Sequence, residues 1–149
     1  MSTTPIRHTW DGQPISPEPP YGATVVVFQR TPELALLMLH RAHNGPDFEG
    51  DWAWTPPAGS RKPGEPILAA AERELWEEAG LRLPLQPTAA GTSDWYVYLA
   101  ESNPNQRVQL HDPEHDRYEW MDARAALDRT NPALVREALE RAVEEIKRL

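Results

Sequence analysis

Residues 59–81 read GSRKPGEPILAAAERELWEEAGL, and this stretch decides what the rest of the chain has to build. The sequence predicts a glycine loop that runs into a helix. Pro66 suits a first helical position, and Gly80 suits the left-handed residue that follows a last turn. Four apolar residues recur at three- and four-residue spacing: Leu68, Ala71, Leu75 and Ala79. We expect this narrow stripe to face a core.

A second face of the same helix collects carboxylates. Glu74, Glu77 and Glu78 lie at positions i, i+3 and i+4, so their side chains converge. Carboxylates that repel one another need a compensating cation, and oxygen ligands favour a hard divalent ion such as Mg²⁺, Mn²⁺ or Ca²⁺. Arg73 is placed to pair with Glu77, and Glu65 stands at the helix entrance, where the dipole favours negative charge. The alternative is a solvated face of an acidic protein.

The spacing of the glycine, arginine and glutamate residues over the whole of 59–81 favours a metal site over a solvated acidic face. It reads Gly, five residues, Glu, seven residues, Arg-Glu, an aliphatic residue, one residue, Glu-Glu, one residue, Gly, an aliphatic residue. The seven fixed identities would match by chance at roughly 10⁻⁸ per starting position or less. The chain therefore resembles the Nudix hydrolases, whose defining box is filled at every position: Gly59, Glu65, Arg73, Glu74, Leu75, Glu77, Glu78, Gly80 and Leu81.

The resemblance implies both a fold and a reaction. The fold is an α/β/α sandwich around a mixed β-sheet, and the order of predicted strands and helices independently favours the same class. The reaction is hydrolysis of the pyrophosphate bond of a nucleoside diphosphate linked to another group, with Mg²⁺ or Mn²⁺. Nucleoside triphosphates and dinucleoside polyphosphates are both open as substrates. The alternatives are a non-catalytic nucleotide-binding sensor or scaffold, and a related isomerase or nucleotide-sugar enzyme on the same fold.

The resemblance also assigns roles within the box. Glu74, Glu77 and Glu78 become metal ligands and catalytic residues, joined by the backbone carbonyl of Ala58. Arg73 becomes the ion-pair partner that orients them. Three further positions become structural, namely Gly59, Glu65 and Gly80.

A second acidic position lies well after the box. Glu114 precedes Trp120 by six residues, a spacing that resembles the loop from which several Nudix subfamilies supply an outer metal ligand or a general base. The alternative is an ordinary exposed loop carboxylate. His115 has the intrinsic pKa of a proton relay, but an exposed loop histidine fits the sequence as well.

Four residues are candidates for substrate binding. Arg41 ends a predicted strand, and its guanidinium suits a phosphate, as does the ammonium of Lys62 in the box loop. Trp54 is a candidate for stacking on a base. Tyr98 lies where a tyrosine marks dinucleoside polyphosphate hydrolases. Each has a plain structural alternative, as a strand-end arginine, a loop lysine or a core aromatic residue.

Length and charge narrow the class of partner. A chain of 149 residues is one domain, expected over 21–149 behind a proline-rich arm at 1–20. A net charge of −8 argues against a nucleic-acid polymer and leaves a small nucleotide as the partner. The absence of cysteine excludes thiol chemistry. With no apolar run resembling a signal or a membrane span, we expect a cytoplasmic protein, and the resemblance allows for a homodimer.

Hydrophobic patterning predicts the remaining elements. Strands are expected at 21–30 and 34–41, separated by a turn at 31–33, and at 52–55, 93–100, 107–110 and 117–121. The first two are nearly all apolar, which is typical of strands covered on both faces. Asp122 and Asn131 are expected to cap helices, the second of which runs over 132–148.

Overall fold

The computed structural model describes residues 6–30 and 32–149, so residues 1–5 of the arm and Thr31 of the predicted 31–33 turn lie outside it. The strands are β1 (Gly22–Arg30), β2 (Leu34–Arg41), β3 (Trp54–Thr55), β4 (Ala58–Ser60), β5 (Gln86–Pro87), β6 (Trp95–Glu101) and β7 (His115–Asp122). The helices are α1 (Ile67–Ala79), α2 (Ala123–Arg129) and α3 (Ala133–Lys147). None of the helices in the described residues is both long and apolar enough to cross a membrane.

The described strands form one mixed sheet in the order β3-β2-β1-β6-β5, with β4 paired to β1 and β7 paired to β2. β1 and β6 are parallel, with Gly22 opposite Trp95, whereas β1 and β2 are antiparallel. β1 therefore lies at the centre of the sheet. The prediction that the first two strands are covered on both faces is confirmed.

Helices cover the two faces of the sheet. On one face, Val25 and Val27 of β1 pack with Leu75 of α1. On the other face, Val26 and Phe28 pack in one cluster with residues of α3 and α2. This arrangement confirms the α/β/α sandwich. It also explains why nearly every residue of β1 is apolar, since alternate side chains enter different cores.

Two helix starts differ from the prediction because proline occupies the cap. Pro66 has an extended ψ of 141°, so α1 begins at Ile67. Pro132 likewise has ψ near 180°, so it takes the cap position predicted for Asn131. Asp122 caps α2 as predicted, and its side chain accepts a hydrogen bond from the backbone N–H of Ala125 at 2.9 Å.

The far end of α1 follows the prediction. Gly80 adopts the left-handed conformation with φ 67°, and its N–H is bonded to the carbonyl of Trp76. The apolar stripe differs at one position. Leu68 is 44% exposed, and Ala70 is buried in the helix beside Ala71.

Two strand predictions fail for local reasons. Trp52 has φ 67°, which a strand does not accommodate, so β3 begins two residues later, at Trp54. The segment 107–110 is not a strand. Instead, the N–H of Gln109 donates to the carbonyl of Ala79 at 2.8 Å, and Val108 packs into the core beside α1. The segment thus seals the end of the helix.

Candidate active site

Arg73 organises the carboxylates of the α1 helix. Its guanidinium donates five hydrogen bonds: two to Glu65 at 2.9 and 3.0 Å, one to Glu74 at 2.8 Å, one to Glu77 at 3.2 Å and one to the Ser60 carbonyl at 3.0 Å. Although burial favours the neutral acid, the bonds from Arg73 hold the pKa of Glu65 below its usual value. The arginine therefore ties the box loop to the helix and fixes three carboxylates at once.

Glu74 lies against the backbone of Gly59. A Cβ at that glycine would overlap the Glu74 carboxylate, so the close approach requires glycine. Burial raises the pKa of Glu74 to about 7, with a further contribution from the charge of Glu77, although Arg73 opposes the shift. Without a cation, this carboxyl group is half protonated near neutral pH.

Glu78 is the most deeply buried carboxylate of the helix, with a side chain only 2% exposed. Its Oε1 accepts a weak hydrogen bond from the N–H of Ala58 at 3.4 Å, and its Oε2 has no partner among the described residues. Burial raises the pKa of Glu78 well above its usual value, and the charges of Glu74 and Glu114 add to the effect. A buried carboxylate with an unpartnered oxygen is costly unless a cation compensates it.

The end of the loop before β7 and the first residue of that strand bring two more side chains to Glu78. The Nδ1 of His115 lies 3.7 Å from the Oε1 of Glu78, and ligand atoms of Glu78, Glu114 and His115 all fall within 4.8 Å of one another. Burial raises the pKa of Glu114, although the guanidinium of Arg41, 3.8 Å away, opposes it. Burial, with the charge of Arg41, lowers the pKa of His115 to about 4, so its ring is uncharged at neutral pH.

This donor set fits a divalent cation. Glu74, Glu77 and Glu78 of α1 and Glu114 of the loop before β7, which we call the acidic cluster, line the same cavity, and among them ligand atoms of Glu78 and Glu114 lie within 4.8 Å of each other. Carboxylate oxygens are the ligands of Mg²⁺ and Mn²⁺, and the unpartnered oxygen of Glu78 points to such an ion. Burial first, and then repulsion between neighbouring carboxylates, raises the pKa values of Glu74 and Glu78, and a bound cation would offset both effects.

The acidic cluster lines one end of a cavity of about 1000 Å³. The rest of the cavity extends between the sheet and α3 and is mainly apolar, lined there by Val26, Trp95, Val97, Val135, Ala138 and Leu139. Residues of the N-terminal arm, among them Trp10, contribute to the lining as well. A site of this size and composition suits a ligand with one charged end and one flat or apolar end.

The sequence matches the family model of the NUDIX domain over residues 19–143. The chain belongs to the Nudix family. This match covers all the strands and two of the helices of the fold, together with most of the third helix.

Several proteins are similar to this Nudix chain. An octanoyltransferase of Myxococcus xanthus is 32% identical, with 89% of this chain and 40% of that protein covered. An RNA pyrophosphohydrolase of Roseobacter denitrificans is 48% identical over 46 residues, which cover 31% of this chain and 29% of that protein. The chain spans less than half the length of these curated relatives. The crystal structure of a C. elegans Ap4A hydrolase binary complex is 25% identical, covers 86% of this chain and 98% of that chain, and superposes with a TM-score of 0.69.

The two cationic residues proposed for substrate binding lie in the Nudix cavity. Arg41 and Lys62 both line it near the acidic cluster. The Nε of Arg41 is buried with no hydrogen-bond partner among the described residues. Ala58, the fourth expected metal ligand, lines the same end of the cavity and lies beside Glu78.

The two aromatic candidates do not reach the cavity. Trp54 is 1% exposed, and its Nε1 donates to the carboxylate of Glu49 while Arg129 covers its ring at 4.5 Å. Tyr98 is buried in the core cluster beneath α1, on the face of the sheet opposite α3. The structure thus brings neither predicted substrate contact to the cavity, because strand register turns both side chains toward packed interiors.

Their neighbours line the Nudix cavity instead. Trp52, 46% exposed, and Trp95 contribute to the wall, and the Nε1 of Trp95 donates to the hydroxyl of Thr24 at 2.9 Å. Trp95 lies three residues before Tyr98, so alternation along β6 could have placed the two on opposite faces. Trp52 carried no such signal, because its orientation follows from an unusual φ in a loop.

Proposed function

We propose that this Nudix chain is a divalent-metal-dependent hydrolase that cleaves the pyrophosphate bond of a nucleoside diphosphate linked to another group. One observation carries the proposal, namely that the acidic cluster and Arg41 share one cavity of about 1000 Å³ with apolar and aromatic side chains that suit a base. A pyrophosphate bridging these two regions would have its scissile bond beside the acidic cluster. The similarity to an RNA pyrophosphohydrolase and to an Ap4A hydrolase supports the reaction class.

The proposal divides the residues of the site into metal ligands, supporting residues and phosphate-binding residues. Glu74, Glu77, Glu78 and the carbonyl of Ala58 would hold Mg²⁺ or Mn²⁺. When bound, the metal supplies charge neutralisation of the phosphates and lowers the pKa of a water ligand. Arg73 keeps the helix carboxylates in place, whereas Arg41 and Lys62 bind the phosphate oxygens of the substrate. Glu114, the member of the acidic cluster that lies outside α1, would act as an outer metal ligand or as the base that takes a proton from water.

The substrate class within the proposal is a nucleoside triphosphate or a dinucleoside polyphosphate. The cavity is compatible with both, since its volume of about 1000 Å³ includes apolar side chains that suit a base, the acidic cluster and residues of the N-terminal arm. The proposed partner is a small nucleotide in the cytoplasm rather than a nucleic-acid polymer, because the net charge of −8 opposes a phosphate backbone. A homodimer remains part of the proposal by family resemblance.

The decisive experiment measures turnover on a nucleotide panel. With Mg²⁺ or Mn²⁺, the purified protein should release phosphate, pyrophosphate or a nucleotide from at least one triphosphate, dinucleoside polyphosphate or nucleotide sugar. Glu78→Gln and Glu77→Gln should each reduce that rate by several orders of magnitude. Glu72→Gln, an exposed carboxylate on the same helix, is the matched control and should retain the rate.

Two outcomes would contradict the proposal. Full activity in Glu78→Gln would refute the metal assignment. The absence of turnover on every nucleotide of the panel, together with nucleotide binding measured by calorimetry, would favour the non-catalytic sensor. Glu114→Gln separates the roles of that residue, because loss of a ligand weakens Mn²⁺ binding whereas loss of a base lowers the rate at saturating Mn²⁺.

A further inference from the structure

His115 is a buried imidazole that has no hydrogen-bond partner in the part of the chain that the structure describes. It opens β7, and its side chain is only 1% exposed. Neither Nδ1 nor Nε2 has a hydrogen-bond partner among the described residues. A buried polar ring with both nitrogens unsatisfied is rare in a folded protein and needs an explanation, and a bound ion is one of the few that exist.

The ring lies among the residues proposed to hold the metal. Its Nδ1 is 3.7 Å from the Oε1 of Glu78 and 3.9 Å from the Oδ1 of Asp112, and Glu114 is within 4.8 Å of both His115 and Glu78. A distance of 3.7 Å is too long for a hydrogen bond. It suits two ligands of one ion, because donors at about 2.1 Å from a cation lie about 3 Å apart when adjacent and about 4.2 Å apart when opposite.

We propose that His115 contributes an imidazole nitrogen to the cation held by Glu78 and Glu114, and that the site thereby prefers Mn²⁺ to Mg²⁺. The inference rests on the metal site of the proposed function, but it concerns a residue outside the box. Mn²⁺ and Mg²⁺ both favour carboxylate oxygens, but Mn²⁺, as a first-row transition ion, accepts an imidazole nitrogen more readily than the harder Mg²⁺. A single buried nitrogen in an otherwise carboxylate site therefore shifts the choice of ion.

A nearby histidine provides a control. His111 lines the cavity, whereas His115 is buried behind its wall. The Nδ1 of His111 lies 3.1 Å from the Trp76 carbonyl, within hydrogen-bond range, and the ring packs edge-on against Trp76. His111 therefore has a structural partner, whereas His115 has none among the described residues. The two histidines are four positions apart, His111 in the loop before β7 and His115 at the start of that strand.

Pulsed electron paramagnetic resonance of the Mn²⁺-loaded protein tests the ligand directly. The wild-type protein should show ¹⁴N modulation typical of a bound imidazole, and growth with ¹⁵N-histidine should replace it by the ¹⁵N pattern. His115→Gln should lose the modulation, and His111→Gln should keep it. The isotope experiment needs no variant, so the absence of histidine nitrogen coupling would overturn the inference even where His115→Gln fails to fold, and His111→Gln then tests the neighbouring histidine.

Calorimetry tests the preference for the ion. We expect His115→Gln to lower Mn²⁺ affinity about tenfold or more while changing Mg²⁺ affinity less than about threefold. Bound Mn²⁺ without histidine nitrogen coupling in the wild-type protein would overturn the inference, as would coupling that persists in His115→Gln. These results are separable from the reaction, since turnover without nitrogen coupling refutes only the ligand, and coupling without turnover refutes only the hydrolase.

Discussion

The substitution Arg73→Lys tests whether one guanidinium fixes the box. Arg73 donates five hydrogen bonds through three nitrogens, four of them to carboxylates. An ammonium group has three donors and no planar fork, so at least two of the five bonds are lost while the charge is retained. Hydrogen bonds to charged groups contribute about 1.5–3 kcal/mol each, and partial exposure favours the lower value. The expected loss of stability is therefore about 3 kcal/mol.

Equilibrium unfolding in urea measures this loss. For a chain of this length, about 3 kcal/mol corresponds to a fall in Tm of about 6–12 °C. Arg124→Lys on α2 is the control, because that side chain is exposed and makes no hydrogen bond to any residue of 6–30 or 32–149. The free energy of unfolding of Arg124→Lys should stay within about 0.5 kcal/mol of the wild-type value. An Arg73→Lys change below about 1 kcal/mol would refute the reasoning, since a surface ion pair alone contributes that much.

Three further predictions concern the cavity and its charges. Gly59→Ala should weaken Mn²⁺ binding measured by calorimetry, because the new Cβ displaces the Glu74 carboxylate. Gly45→Ala places its Cβ in open space, so it should leave Mn²⁺ binding intact although its φ of 94° strains the loop backbone. The metal-free protein should lose stability in urea as pH rises from 4.5 to 7, because the folded pKa of Glu74 is raised to about 7 and the neutral acid is favoured in the fold. The loss is on the order of 3 kcal/mol, and a pH profile unchanged by Glu74→Gln would contradict it. Ala138→Phe should raise KM for the substrate about tenfold or more by filling the apolar end, and an altered Mn²⁺ affinity would contradict the separation of the two ends.

The helix half of the site could be predicted from local spacing. The shared face of Glu74, Glu77 and Glu78 follows from helical periodicity, because residues three and four positions apart lie on the same side of a helix in any fold. The cap at Gly80 follows in the same way, from a conformation that glycine favours. These features depend on neighbours in sequence, so the sequence contains them.

The remaining features depend on pairings between distant segments. His115 is buried because β7 pairs with β2 and Arg41 lies opposite it, a contact across more than seventy residues. Trp54 and Trp52 differ in orientation because one sits in a paired strand and the other has a left-handed backbone. Tyr98 faces the α1 core because of its register with Val25. Composition and periodicity do not determine such registers, so the sequence alone does not predict which aromatic side chains line the cavity.

The two faces of β1 have a consequence for how this protein could diversify. Val25 and Val27 pack against α1, the helix that carries three of the four residues of the acidic cluster. Val26, on the alternate face of β1, lines the cavity opposite α3. Substitutions at Val26 or along α3 can thus reshape the recognised group without disturbing the carboxylates. Natural selection, or a laboratory library restricted to the α3 side, could exchange one substrate for another while inheriting the same chemistry.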